Sequence, residues 1–277
     1  MDIIDAKLTI IMATYNAERY LDNCLESIAR QTYSNFKVHI IDDASKDQTL
    51  TILKKWLTKD RRFTLVKKHE KNIGLTKTLN ELIKTCQTDY IARMDADDYM
   101  HADRLKQQID FLNTHSTISV VGSWAQEVDE HNVTGKVRKA PINHHDIEKL
   151  MIKVNPLIHP TVTFRREALL QTEGYDERYR YGQDYALWFR LMAEGYRFEN
   201  IPEKLLYYRL PSTHIEKRKL KFRLREAKIR WRGTKLMRYS LIKRMVSAGI
   251  PVIVGLMPTF LLKYALKLRE KVDPRYQ

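Results

Sequence analysis

Residues 7–16 read Lys-Leu-Thr-Ile-Ile-Met-Ala-Thr-Tyr-Asn, an apolar run that breaks into a polar turn. A short apolar run bounded by a turn is a candidate for a strand buried on both faces. The next residues decide the class. Tyr20, Leu21, Cys24, Leu25 and Ile28 recur at helical spacing, so a helix comes directly after the strand. The pairing then repeats. Phe36–Ile41 ends in Asp42-Asp43, and Ser45 or Asp47 can cap a helix with Leu50, Leu53 and Leu57 on its apolar side. Phe63–Val66 leads through the Asn72-Ile73-Gly74 break into a helix with Leu75, Leu79, Leu82 and Ile83. Tyr90–Met94 ends in Asp95-Ala96-Asp97-Asp98, ahead of a helix carrying Leu105, Ile109 and Leu112. Strands alternating with helices predict an α/β domain with a mostly parallel sheet and right-handed crossovers.

Composition agrees. With 277 residues, 43% hydrophobic and 30% charged, the chain has material for a large core and is neither collagen-like nor disordered. Two cysteines are too few for a disulfide framework or a cysteine zinc site, so a reducing compartment is expected. Met1–Asp5 carries acids where a secretory signal needs bases. The net charge of +15 is uneven: residues 1–210 hold 31 basic and 30 acidic side chains, residues 211–277 hold 18 and 4. The expected organisation is a nearly neutral body over 1–210 and a basic tail over 211–277. Such a tail implies an anionic partner, a nucleic acid or an acidic membrane surface.

In open parallel sheets, ligands bind beyond the carboxyl ends of the strands. Thr14-Tyr15-Asn16, Asp42-Asp43 and Asp95-Ala96-Asp97 occupy such ends. Each alone is an ordinary turn or helix cap; three on one rim suggest a site. Carboxylates at i and i+2 past a strand can converge on a hard cation, Mg2+ or Mn2+, that leaves positions for phosphate oxygens. Tyr15 offers a flat face to a base. Neither G-x-G-x-x-G after the first strand nor G-x-x-x-x-G-K-[ST] occurs, which disfavours dinucleotide oxidoreductases and P-loop NTPases. A nucleotidyltransferase would need a glycine-rich loop where Thr14-Tyr15-Asn16-Ala17 stands.

Ile10–Asn16, Ile41–Ser45 with Asp47, Asn72–Gly74 and Met94–Asp98 resemble the family 2 glycosyltransferases of the GT-A fold. The ordered series continues through His159-Pro160-Thr161, Phe164-Arg165-Arg166, Gly174-Tyr175-Asp176, Gln183–Trp188 and Tyr207-Tyr208-Arg209. The subgroup it resembles is that of bacterial exopolysaccharide and O-antigen transferases of the amylovoran-biosynthesis type. The resemblance implies a UDP-sugar donor (Gal, Glc or GlcNAc) held by Thr14, Tyr15, Asn16, Asp43, Lys77 and Asp95. Tyr15 would lie against the uracil, with Asp43 accepting from it and Asp95 on the ribose. Asp97, the last acid of the D-x-D motif, would ligate Mn2+ or Mg2+, and His214 would approach the metal or diphosphate. Asp184 corresponds to the catalytic base. The family pattern there is Glu-Asp, whereas this chain has Gln183-Asp184. His159 reads as a structural histidine, Lys77 equally as a solvated helix lysine, and Trp124 and Trp188 as core or pocket wall.

Processive members carry Gln-x-x-Arg-Trp, and here Ala227 stands before Arg230-Trp231, so a single addition is expected. The implied acceptor is a polyprenyl-diphosphate-linked glycan at the cytoplasmic face of a bacterial inner membrane. A homo-oligomer is compatible with all of this. In the tail, Thr213-His214-Ile215-Glu216 has capping-box spacing. Leu220, Leu224, Ala227 and Trp231 then align as an apolar stripe among cations, which predicts a helix lying on anionic lipid. Basic residues interleaved with Phe222 and Trp231 also suit nucleic acid. The uncharged stretch Met245–Leu262 favours membrane over nucleic acid, and Pro251, Pro258, Gly249 and Gly255 disfavour a straight span.

Overall fold

A computed structural model describes residues 6–210 and 220–257. The first half follows the alternation expected from the sequence: β1 (Leu8–Thr14), α1 (Glu18–Ala29), β2 (Phe36–Asp42), α2 (Thr49–Lys59), β3 (Phe63–Lys68), α3 (Leu75–Thr85), β4 (Tyr90–Asp95), the short β5 (Tyr99–Met100) and α4 (Arg104–Thr114). The second half is mixed: β6 (Ile118–Val128), β7 (Thr134–Arg138), α5 (His144–Met151), a 3-10 turn at His159–Thr161, β8 (Thr163–Arg165), α6 (Arg166–Gln171), α7 (Gln183–Ala193) and β9 (Arg197–Arg209). A helical hairpin, α8 (Leu220–Leu236) and α9 (Leu241–Leu256), comes last among the described residues.

Among the described residues, nine strands join one sheet in the order β3-β2-β1-β4-β8-β6-β9-β5, with β7 paired to β6 off this path. β1, β2, β3 and β4 are mutually parallel, and β8 enters antiparallel to both β4 and β6. Alternation along β1 sends Leu8, Ile10 and Met12 into one hydrophobic cluster and Ile11 into the other, so helices cover both faces. That two-sided burial explains why the strand reads as an unbroken apolar run.

Register positions the chemistry. Thr14 pairs with Asp42 across β1–β2, and Ala13 pairs with Asp95 across β1–β4. The polar ends of three parallel strands therefore lie level on one rim.

The hairpin packs on the body. Its contact is made possible by Gly233, where a Cβ would stand 2.1 Å from Phe189 Cγ on α7. Ala227, Ile229, Arg230, Gly233 and Thr234 form the buried side of α8, while Leu220, Leu224 and Trp231 remain exposed. The stripe expected from the sequence thus shares only Ala227 with the buried face. Ser247 Oγ on α9 donates to the Ile152 carbonyl at 2.5 Å, just past α5, and Arg230 Nη1 donates to the Ser247 carbonyl at 3.3 Å. α9 runs through Pro251 and ends at Leu256; the next residue, Met257, is extended, as a residue before proline tends to be. No helix among the described residues is long and apolar enough to cross a membrane. The expected cap at Thr213 and the start of a helix near His214 lie outside the described residues, as do positions 258–262 of the uncharged stretch.

Candidate active site

Of the adjacent acids at the end of β2, Asp42 is fully buried and acts as a knot. It accepts from Thr14 Oγ1 at 3.1 Å, from the Ser45 amide at 3.1 Å and from the Ser45 hydroxyl. Asn16, at a left-handed φ of 48°, closes the same corner: its amide donates to Ser45 Oγ and its Oδ1 accepts from the Lys46 amide. Asn16 is thereby a loop clasp. Tyr15, freed at the tip of this corner, is 49% exposed and lines the cleft.

Asp43 also lines the cleft, and its carboxylate organises the opposite loop. Oδ1 accepts from the Ile73 amide at 2.9 Å, and Oδ2 accepts from the Gly74 amide at 2.9 Å. His69 Nδ1 lies 2.8 Å from Oδ1, and its Nε2 lies 3.2 Å from Glu81. Gly74 sits at a φ of 92°, open to few residues other than glycine. Lys77 is exposed in the first turn of α3 and is not part of the cleft lining.

At the end of β4, Asp95, Asp97 and Asp98 offer carboxylate oxygens that all lie within 4.8 Å of one another. Both oxygens of Asp95 accept from the terminal nitrogens of Arg93, a buried cation that sequence reading overlooked because it lies inside a strand. Asp98 is buried; its Oδ1 accepts from the Arg209 amide at 2.7 Å, and its Oδ2 has no hydrogen-bond partner among the described residues. Arg209 Nε donates to the Asp97 carbonyl at 2.9 Å, so the end of β9 fastens the acidic turn. Asp97 presents its side chain to solvent yet sits among many protein atoms. That desolvation, with the charge of Asp95, lifts its carboxyl to about 6. Burial and the charges of Asp95 and Asp97 hold Asp98 well above the usual carboxylate range. An orphaned buried oxygen beside two crowded carboxylates fits a hard divalent cation, which would supply the missing positive charge. His214 lies outside the described residues.

Asp184 stands in the first turn of α7, behind Gly182 at a φ of 72°. Burial raises its carboxyl above the ordinary value. Asn155 Nδ2 donates to its Oδ2 at 2.6 Å. This partner had no local sequence signal, since the pair is separated by 29 positions. His159 is buried, and its Nε2 lies 2.7 Å from the Tyr175 hydroxyl. Burial, then the charge of Arg93, holds it well below the usual imidazole range, so it is a neutral structural histidine. Trp188 is fully buried core.

A cavity of about 1160 Å³ is lined by Thr14, Tyr15, Asp43, Asn72 and Asp95 and also by Asn155, Asp184 and Tyr185, together with Arg93 and His159. α8 adds Phe222, Arg223, Arg225, Glu226 and Ile229 to the cavity wall. A buried carboxylate that shares one cavity with an acidic strand rim suits group transfer between two bound molecules.

The architecture is the GT-A fold. TarS of S. aureus (residues 1–349), solved in complex with UDP, superposes with a TM-score of 0.70 at 20% identity, covering 96% of this chain and 77% of that one. The mannosyltransferase PcManGT from Pyrobaculum calidifontis, solved with GDP-Man and Mn2+, gives 0.64 at 18% identity, covering 98% and 77%. The chain belongs to glycosyl transferase family 2, whose model matches residues 9–172. Among its relatives, the putative glycosyltransferase EpsE of Bacillus subtilis is 32% identical over 95% of this chain and 94% of its own. The amylovoran biosynthesis glycosyltransferase AmsE of Erwinia amylovora is 29% identical over 76% and 79%. An Escherichia coli UDP-Gal:alpha-D-GlcNAc-diphosphoundecaprenol beta-1,3-galactosyltransferase is 27% identical over 94% and 95%.

Proposed function

We propose that this chain is an inverting, single-addition hexosyltransferase. It would move Gal, Glc or GlcNAc from UDP to a hydroxyl of a lipid-linked glycan during synthesis of a bacterial surface polysaccharide. The observation that supports this reading is the single cavity lined both by Tyr15, Asp43 and Asp95 and by Asp184. The UDP held by TarS, and the diphosphoundecaprenol in the name of the E. coli relative, support the choice of donor and acceptor.

Tyr15 stacks on the base, and Asp43, with the loop it fastens, closes around the nucleoside. Asp97 and Asp98, with Asp95 beside them, are the groups that would hold Mn2+ or Mg2+; the cation, when bound, neutralises charge on the departing diphosphate. The acceptor oxygen attacks the anomeric carbon from the side opposite UDP. A new C–O bond forms as the sugar–phosphate bond breaks and its electron pair leaves on UDP. Asp184 accepts the hydroxyl proton in that step, and a carboxyl raised by burial is a stronger base than a solvated one. α9 carries the exposed row Leu241, Ile242, Met245, Val246, Ile253 and Leu256, within residues 211–277 that hold 18 basic and 4 acidic side chains. That combination supports a peripheral seat on an anionic membrane face.

Hydrolysis of a panel of nucleotide sugars with Mn2+ identifies the donor. Asp184→Asn then separates chemistry from binding: UDP affinity stays, and turnover falls on the order of 10²-fold. Loss of UDP binding in that variant, or activity within about tenfold of wild type, refutes the assignment of the base.

A further inference from the structure

The cleft is lined by charges of both signs. The donor rim presents Asp43 and Asp95, to which a diphosphate can come only with a cation. Arg180, Arg223 and Arg225 line the same cavity, Arg180 directly after Tyr179, whose carbonyl accepts from Thr76 Oγ1 at 2.8 Å. Arg223 pairs with Glu226 at 3.1 Å. Glu226 also accepts from Arg230, so one carboxylate serves two guanidinium groups. Arg225 lies over the rings of Tyr181 and Phe222, 5.6 Å from each centroid, a stacking contact that leaves its N–H groups free to donate. Tyr181 and Phe222 meet edge to face at 5.4 Å and hold that position. Arg180 makes no hydrogen bond or ion pair among the described residues, and it is exposed. Arg180 and Arg225 therefore leave about two positive charges without a carboxylate partner among the described residues.

The same corner meets the apolar face of the hairpin. At Gly255 on α9 a Cβ would stand 3.0 Å from both Arg223 Cβ and Leu220 Cδ1, so the end of α9 lies against the first turn of α8. Leu220, Leu224, Ile253 and Leu256 are exposed around that crossing. Cations inside the cleft thus adjoin an apolar surface outside it.

We infer that Arg180, Arg223 and Arg225 form a second anion site, one that takes the diphosphate of a prenyl-diphosphate-linked acceptor. This rests on the transferase reading above and adds the residues that would select the acceptor. Planar guanidinium groups bind phosphate oxygens through paired N–H donors, and two free charges match one diphosphate. The prenyl chain leaves over the exposed leucines, and the glycan extends into the cavity toward Asp184.

The test titrates the full-length chain with farnesyl diphosphate by calorimetry, with and without saturating UDP and Mn2+, so that the donor end is blocked in one arm. Wild type binds farnesyl diphosphate in both arms and binds farnesol far more weakly. Arg180→Gln/Arg225→Gln, which removes no ion pair seen among the described residues, loses affinity for farnesyl diphosphate by about tenfold or more, while UDP affinity stays within about twofold. Unchanged farnesyl diphosphate affinity in the double variant overturns the proposal, as does equal binding of farnesol. Parallel loss of UDP would put the arginines at the donor end and also overturns it. If the variant instead loses only its binding to phosphatidylglycerol vesicles, the arginines serve the bilayer and the proposal fails. Failure of wild type to bind UDP strikes the donor reading, whereas the arm without UDP still decides this one.

Discussion

At the residue scale, the two acids at the end of β2 divide their labour in a way adjacency could not disclose. Asp42 points into the protein and ties three groups, while Asp43 points toward the cleft and fastens the Ile73–Gly74 loop. Asn155 is the sharper case. Its N–H donates to the Asp184 carboxylate and so favours the charged form, against the burial that disfavours it. Asn155→Leu removes that support and pushes the Asp184 pKa further up. A base must be deprotonated to act, so activity disappears sooner as the pH falls. The acid limb of the kcat/KM profile should move upward by about one pH unit, with the plateau little changed; a pH–rate series reads it, and an unmoved limb argues that Asn155 only packs. The acidic turn gives a second expectation. Chelation with EDTA should abolish transfer, Mn2+ or Mg2+ should restore it, and Asp97→Ala should weaken UDP binding measured with Mn2+ present. Full activity after exhaustive dialysis against EDTA would remove the cation from the reaction.

At the scale of elements, the parallel half was legible because strands buried on both faces must be largely apolar, and β1, β2 and β4 are. The strands from β6 onward were not assigned from sequence. β9 carries Pro202, Glu203 and Lys204 amid its apolar residues, and its partner β6 lies some eighty positions earlier, beyond any local pattern. In the tail, the sequence predicts a lipid-facing stripe of Leu220, Leu224, Ala227 and Trp231, whereas the side by which α8 docks on the body is another one that shares only Ala227 with it. Its guide is Gly233, the residue that permits close approach to Phe189, and such a glycine within a helix is the signal that was available. Gly233→Val should displace α8, lower stability by about 1–3 kcal/mol in a urea titration, and loosen the part of the cavity wall that α8 supplies. Gly249→Ala, where a Cβ meets nothing within 4 Å, is the matched control and should hold or raise stability. Equal midpoints for the two variants would mean that α8 does not depend on this contact.

At the scale of the whole molecule, body and tail are coupled, because α8 is both a wall of the cavity and half of the hairpin. Deleting the tail would strip a cavity wall, so membrane attachment is better probed on the outward side of α9. Ile242 and Val246 are 75% and 59% exposed. Ile242→Glu/Val246→Glu should abolish co-sedimentation with phosphatidylglycerol vesicles at low salt and leave hydrolysis of the nucleotide sugar in solution unchanged. Retained sedimentation would assign that face to something other than lipid.

The hairpin's double role also has a kinetic consequence. If the hairpin sits on lipid as proposed, the cavity it walls would find its acceptor by lateral diffusion, at a height over the bilayer set by α8 and α9. Its rate would then follow the mole fraction of acceptor among the lipids, not the amount per volume of buffer. Adding inert bilayer at constant total acceptor would slow the enzyme, as surface dilution does for reactions confined to two dimensions.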